Sequence, residues 1–177
     1  MRKILLIVLT LFFVHHNHVE ACDKEGVNKL TDPNWLGYEM RTCKDGKWNG
    51  IAQVFFNDGK INIEGNYRED HLNGIFKTYY ENGKLASEGN YVNDKPDGLS
   101  KNYDKEGNLI LETIYIDGKI DKMKEYFKNS VVKSEYIFKD GKPLIKKEYD
   151  VKGNLIAELN KQQMLEERNN RIKNSKQ

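Results

Sequence analysis

The sequence predicts an all-β protein, an elongated antiparallel β-hairpin meander of about 24-residue units, with a short C-terminal helix or tail. Three observations predict it. Gly50, Gly74 and Gly98 recur 24 residues apart, and so do Gly59, Gly83 and Gly107, and Glu64, Glu88 and Glu112. Aromatic residues recur every 12, at Phe55, Tyr67, Tyr79, Tyr91, Tyr103 and Tyr115, which is the length of a short strand plus a turn. The ladder continues past steps of 11 at Tyr126, Phe138 and Tyr149. Asp-Gly and Asn-Gly pairs punctuate the ladder, and these are the dipeptides of tight hairpins.

The first element is a leader. Arg2 and Lys3 precede Ile4 to Val14, a run of eleven residues that is apolar except for Thr10. His15, His16, Asn17 and His18 are polar, and Val19-Glu20-Ala21 places small residues where signal peptidase reads. This is the pattern of a secretory signal peptide, and it is too short to span a bilayer as a helix. Residues 1–21 are read as signal peptide, 22–35 as an N-terminal linker, 36–159 as the repeat domain and 160–177 as a helix or tail. The expected destination is outside the cytoplasm, in a bacterial cell envelope or beyond it.

Within the repeats, Asp45-Gly46, Asp58-Gly59, Asn82-Gly83, Asp117-Gly118 and Asp140-Gly141 predict type I′ turns, which need positive φ at both central positions. Between turns the pattern alternates. Ile61, Ile63, Gly65 and Tyr67 fall on one face, and Asn62, Glu64 and Asn66 on the other. In the next copy Leu85 and Tyr91 oppose Glu88 and Asn90. Such alternation predicts strands with one wet face carrying the recurrent Glu. After Asn160 the turn signals stop. Asn160 and Gln163 form a capping-box pair, and Met164, Leu165 and Ile172 give a sparse apolar stripe.

Composition narrows the function classes. Loss of Arg2, Lys3 and Glu20 with the leader lowers the net charge from +2 to +1, without the basic excess of a nucleic-acid binder. The leader also removes three of the four histidines, which leaves His71, and the chain has two cysteines, Cys22 and Cys43. A multi-histidine or cysteine-rich zinc site within one chain is excluded. No cofactor and no catalytic residue is expected.

The stretch Asn73-Gly74-Ile75-Phe76-Lys77-Thr78-Tyr79-Tyr80-Glu81-Asn82-Gly83-Lys84-Leu85, with its copy Asp97-Gly98-x-x-Lys101-x-Tyr103, resembles the variant MORN repeat (membrane occupation and recognition nexus). The resemblance covers roughly residues 36–159. It departs in the fourth copy, where Lys122 replaces the expected glycine. Bacterial proteins with this variant are often grouped as YwqK-like antitoxins. The resemblance implies an elongated hairpin array that acts as an interaction or scaffold module. Ordinary MORN repeats have been linked to phospholipid contact, for which a near-neutral chain offers little electrostatic support.

Cys22 has two readings. Val19-Glu20-Ala21-Cys22 resembles a lipoprotein processing site, which would tie the chain to a membrane through a lipidated Cys22. An even cysteine count in an exported chain instead suggests a disulfide between Cys22 and Cys43. Phe56, Phe76, Tyr80 and Phe127 lie off the aromatic ladder and are irregular between copies. They are the candidate surface for a protein partner, because aromatic anchors dominate interfaces. The ladder residues Phe55, Tyr79 and Tyr126 are expected to pack internally. His71, beside Asp70, is read as a solvated loop histidine, and the recurrent Glu as a product of the repeat rather than an acid/base pair. The expected function is an exported, non-catalytic protein-binding or scaffold module. The alternatives are an antitoxin or immunity protein, a polysaccharide- or lipid-binding surface module, and a hydrolase with the array as scaffold.

Overall fold

The computed structural model describes Cys22, residues 24–30 and residues 37–174; the leader and Trp35 lie outside the described residues. Among the described residues, fourteen strands form one antiparallel sheet. They are β1 (Gly26–Leu30), β2 (Gly37–Lys44), β3 (Lys47–Phe56), β4 (Ile61–Arg68), β5 (His71–Leu72), β6 (Gly74–Tyr79) and β7 (Leu85–Val92), then β8 (Lys95–Pro96), β9 (Gly98–Tyr103), β10 (Leu109–Ile116), β11 (Lys119–Tyr126), β12 (Val132–Lys139), β13 (Lys142–Tyr149) and β14 (Leu155–Asn160). One helix, α1 (Lys161–Asn174), follows. The order is a meander without crossovers, β1-β2-β3-β4-β6-β7-β9-β10-β11-β12-β13-β14, and the two-residue strands β5 and β8 flank β4 and β7.

Two kinds of turn alternate. On one long side of the ribbon, Asp45-Gly46, Glu69-Asp70, Asn93-Asp94, Asp117-Gly118 and Asp140-Gly141 hold positive φ at both central residues, as type I′ turns require. On the other side the loops have three residues. Phe56 N–H donates to the Lys60 carbonyl at 2.8 Å and Gly59 N–H to the Phe56 carbonyl at 3.0 Å, and the same pair of bonds recurs at Tyr80, Asp104, Phe127 and Asp150. Only the last residue of each loop is left-handed: Gly59, Gly83, Gly107, Ser130 and Gly153. Asp58-Gly59 and Asn82-Gly83 are therefore not type I′ turns. Conversely, Glu69-Asp70 and Asn93-Asp94 are, although neither contains glycine.

Beside each three-residue loop the register slips by one. Val54 pairs with Ile63 but Phe55 with Ile61; Thr78 pairs with Ser87 but Tyr79 with Leu85. The extra residues, Asn62 and Ala86, are β-bulges, and a one-residue slip sends the flanking side chain to the other face. Ile61 thus shares a face with Phe55, opposite Ile63, Gly65 and Tyr67. Leu85 and Tyr91 also part company. Strict alternation, which placed each of these sets on one face, fails at the bulge.

One face carries the core. Cys43, Trp48, Ala52, Tyr67, Leu72 and Phe76 are buried together, with Cys22, Leu30, Ile63 and Tyr91 packed against them. Gly65 makes room for this packing: a Cβ there would lie 3.0 Å from Leu72 Cδ1 and 3.2 Å from Phe76 Cδ2. Cys22 and Cys43 are joined by a disulfide, with Cα atoms 5.5 Å apart. The Arg41 guanidinium lies over both the Trp48 and Tyr67 rings, at 5.5 and 5.4 Å, and its Nε pairs with the buried Glu39. Farther along the same face the buried residues are polar: Thr113, Ser134 and Lys146. Lys146 is paired with Glu148.

The segment expected to be linker contributes β1, which pairs along its whole length with β2. The lysine-rich stretch 142–147 lies in the internal strand β13, between β12 and β14. The capping box forms as expected: Asn160 N–H donates to Gln163 Oε1 at 2.9 Å and Gln163 N–H to Asn160 Oδ1 at 3.1 Å.

Candidate interaction face

The face opposite the core is organised in three rows. The middle row is a charge ladder. Cross-strand pairing places Glu64 beside Lys77, then Glu88, Lys101, Glu112, Lys124, Glu135, Lys147 and Glu158 in unbroken succession from β4 to β14. Opposite charges directly across strands are mutually favourable. Lys124 Nζ lies 3.7 Å from Glu135, and Lys147 Nζ 3.7 Å from Glu158.

A second row, toward the three-residue loops, is aromatic–aliphatic: Phe55 with Ile61, Tyr79 with Leu85, Tyr103 with Leu109, Tyr126 with Val132, Tyr149 with Leu155. The phenols tie the two rows together. Tyr103 donates to Glu88 at 3.1 Å, Tyr126 to Glu112 at 2.5 Å and Tyr149 to Glu135 at 3.5 Å. Burial, and then the bond to Glu112, pushes the Tyr126 phenol up to about 12. At the N-terminal end Gln53 Nε2 donates to Glu64 at 2.7 Å, and Tyr38 stacks on Phe55 with ring centroids 4.6 Å apart.

The third row, toward the type I′ turns, is an exposed aliphatic stripe. Ile51, Ile75 and Leu99 recur 24 apart and are 53, 52 and 47 % exposed, with Asn66 and Asn90 between them. Ile114 pairs with Leu99 and extends the stripe. A row of uncovered aliphatic side chains beside a row of balanced charge can bind an extended partner through apolar contact and paired charges. Among the described residues, no three His, Cys, Asp or Glu side chains come together as a metal site.

Both long sides are locked from unit to unit. On the type I′ side, Trp48 N–H donates to Asp70 Oδ1 at 2.7 Å while Asp70 N–H donates to the Trp48 carbonyl at 3.1 Å. Leu72 and Asp94 repeat this exchange at 2.8 and 3.0 Å. In the third copy both side-chain halves vanish in step: Pro96 has no N–H to give and Gly118 has no carboxylate, leaving only Gly118 N–H to the Pro96 carbonyl at 3.1 Å. His71 Nδ1 lies 2.6 Å from Asp94 Oδ2, one unit away, rather than on its neighbour Asp70.

The four off-ladder aromatics do not form a surface patch. Phe76 is 7 % exposed and sits in the core, edge-on to Tyr91 at 5.4 Å. Its assignment to a partner-binding face is corrected, because Phe76 shares the core face with its cross-strand partner Gly89. Phe56, Tyr80 and Phe127 open the three-residue loops and are half-buried. Tyr80 spends its hydroxyl on the Tyr103 carbonyl, 2.7 Å away in the next unit. The ladder aromatics split: Tyr67, Tyr91 and Tyr115 lie on the core face, and Tyr79, Tyr103, Tyr126 and Tyr149 on the charged one. Sequence reading missed Lys77, Lys101, Lys124 and Lys147. Their recurrence at steps of 24, 23 and 23, in phase with the Glu, was the available signal.

These features define an open array of hairpin units. The family model described as MORN repeat variant matches residues 48–69, 72–93 and 96–117, each beginning just after one type I′ turn and ending in the next. Residues 48–117 thus consist of three consecutive units of the variant MORN repeat. No curated protein matches it. Among solved structures, TarM of S. aureus, a mutant in complex with Fondaparinux, alpha-GlcNAc-glycerol and UDP, is 10 % identical with a TM-score of 0.40 over 76 % of this chain and 23 % of that one. A second TarM crystal structure is 11 % identical with a TM-score of 0.39 over the same shares. The chain thus spans about a quarter of the length of those proteins. Likeness at that level defines neither activity nor partner.

Proposed function

We propose that this repeat protein is an exported, non-catalytic binding module that presents its charge-ladder face to a protein partner. The observation that carries the reading is the uncovered stripe Ile51, Ile75, Leu99 and Ile114 running beside the Glu–Lys ladder on one continuous face. Regularly spaced aliphatics left in water mark an interaction surface better than scattered ones do. The recurring rungs suit an extended segment lying across the strands. Export is supported by the leader-like residues 1–21 and by the disulfide, which persists in oxidising compartments. Lipidation of Cys22 would use the same Sγ that the disulfide engages, so the proposal is a disulfide-bonded chain without a lipid anchor.

The test uses the full chain as bait in a pull-down from the envelope and secreted fractions of its own host. The triple variant Ile51→Ser, Ile75→Ser, Leu99→Ser is expected to lose the partner and to keep its melting temperature, since all three side chains are exposed. Partner capture unchanged by the triple variant refutes the face. A natively produced chain with an unmodified Met1 refutes export.

A further inference from the structure

Among the described residues the ribbon ends in two edge strands, β1 and β14, each paired on one side, and the rows of the charged face do not stop at random there. The charge row begins at Lys29 in β1, which aligns through Met40 and Gln53 with Glu64, and ends at Glu158 in β14. Twelve strands lie on the path and alternate in direction, so β1 and β14 run oppositely. A β1 laid along the outer side of β14 would therefore be antiparallel and would continue the meander.

The side chains fit that addition in one register. With Lys29 opposite Glu158, the ladder gains its next rung with the alternation of sign intact. Val27 then falls opposite Asn160, which repeats the aliphatic–Asn rungs Ile51–Asn66 and Ile75–Asn90. On the core face Leu30 meets Ala157. Val27 is 62 % exposed, and Ile156 at the β14 bulge 65 %. The edges are lightly guarded: Lys29 is the one charged residue of β1, Glu158 the one of β14, neither strand has a proline, and the β14 bulge at Ile156 lies beyond the residues paired in this register. Pairing like edges is disfavoured in the same register, since β14 on β14 sets Glu158 against Glu158, and β1 on β1 sets Lys29 against Lys29.

We infer that β14 of one molecule accepts β1 of a second copy of this chain, with Lys29 paired to Glu158, so that the repeat sheet continues head to tail from molecule to molecule. The contact is heterologous and does not close, so it builds linear chains rather than dimers. One strand pair is a small interface, and the dissociation constant is expected between about 10 μM and 1 mM. The inference stands apart from the partner proposed above, because it uses the edges and not the face.

Sedimentation velocity of the full, disulfide-bonded chain over a concentration series tests it. The wild type should grow past the dimer as concentration rises. Lys29→Glu alone and Glu158→Lys alone should each weaken association roughly tenfold or more, because each puts like charges in contact. An equimolar mixture of the two single variants should associate like the wild type, as every contact in an alternating chain is again of opposite sign. Both residues are exposed at terminal strands, so circular dichroism should be unchanged. A second measurement needs no variant. Carbodiimide cross-linking of mixed light and heavy-isotope chains should yield Lys29–Glu158 cross-links between a light and a heavy copy. A wild type that stays monomeric, growth that stops at the dimer, insensitivity to the single charge reversals, or cross-links confined to one isotope label overturns the inference.

Discussion

The core face is built differently at its two ends. From β2 to β6 it buries Cys43, Trp48, Ala52, Val54, Tyr67, Leu72 and Phe76 beside the polar Glu39 and Thr78, with the disulfide at the outer end. From β10 to β13 the equivalent rows bury Thr113, Ser134 and Lys146. The row containing Phe76 continues through Gly89, Ser100, Thr113, Met123, Tyr136 and Lys146, so the position held by a buried phenylalanine in β6 is held by a lysine in β13. Backbone pairing is continuous throughout. The difference teaches that strand geometry can propagate from unit to unit without an apolar core in each. It also implies that stability is not uniform, since repeat arrays are held by nearest-neighbour contacts. The family model matches where the units are most regular, at 48–117, and this span includes most of the apolar core.

The comparison is sharpest in a pair of truncations. Phe76→Ala should cost about 3–5 kcal/mol, the range for deleting a buried aromatic. Ser134→Ala removes a hydroxyl that donates to Glu125 at 3.2 Å and should cost about 1 kcal/mol. Urea unfolding of the two variants measures the ratio, and equal losses would break the distinction between the ends. Reduction of Cys22–Cys43, which closes a sequence separation of 21, should cost about 3 kcal/mol by the loop-entropy relation. That loss should fall on the N-terminal units, read as a lowered melting temperature in reductant.

Much of this was legible in the sequence. Spacing of glycine, Glu and aromatics defined the unit, and the helix start at Asn160 was visible as a capping box. The faces were less legible, for a physical reason. The bulges at Asn62 and Ala86 leave no composition signal, yet each reverses the alternation that assigns faces. Recurrence favours the ladder residue Tyr79 over Phe76 as the internal side chain of β6, yet it is Phe76 that packs beneath Gly65. The turns Glu69-Asp70 and Asn93-Asp94 also escaped, because they take left-handed backbone without glycine and are held from the neighbouring unit by Trp48 and Leu72. The lysine half of the charge ladder was in plain view. It becomes meaningful only when the register shows that each Lys lies between two Glu.

A pH experiment sharpens the comparison further. Burial raises the Tyr91 phenol from 10.0 to about 12, and it raises Tyr67 and Tyr115 as well. Each is an acid whose folded pKa lies above its unfolded value. The stability it contributes is complete below pH 10 and is lost as pH rises from about 10 toward 12. Alkaline titration followed by tyrosinate absorbance should show Tyr67 and Tyr91 ionising only as the N-terminal units open. Early, reversible ionisation near pH 10 of all tyrosines would contradict their burial.

The smallest expected effect belongs to the charged face. Glu88→Gln and Lys101→Met, singly and together, should change stability by about 0.2–1 kcal/mol, with the coupling recovered from the double-mutant cycle. A coupling above that range would make the ladder, and not the core, the main stabiliser of the array.

Amide hydrogen exchange resolved along the chain tests the central claim most directly, because it reads each strand of one intact molecule. An anchored N-terminal core with a polar C-terminal extension predicts slowest exchange in β3, β4 and β6 and progressively faster exchange toward β13 and β14. Uniform protection from β3 to β14, or slowest exchange at the C-terminal strands, would contradict it.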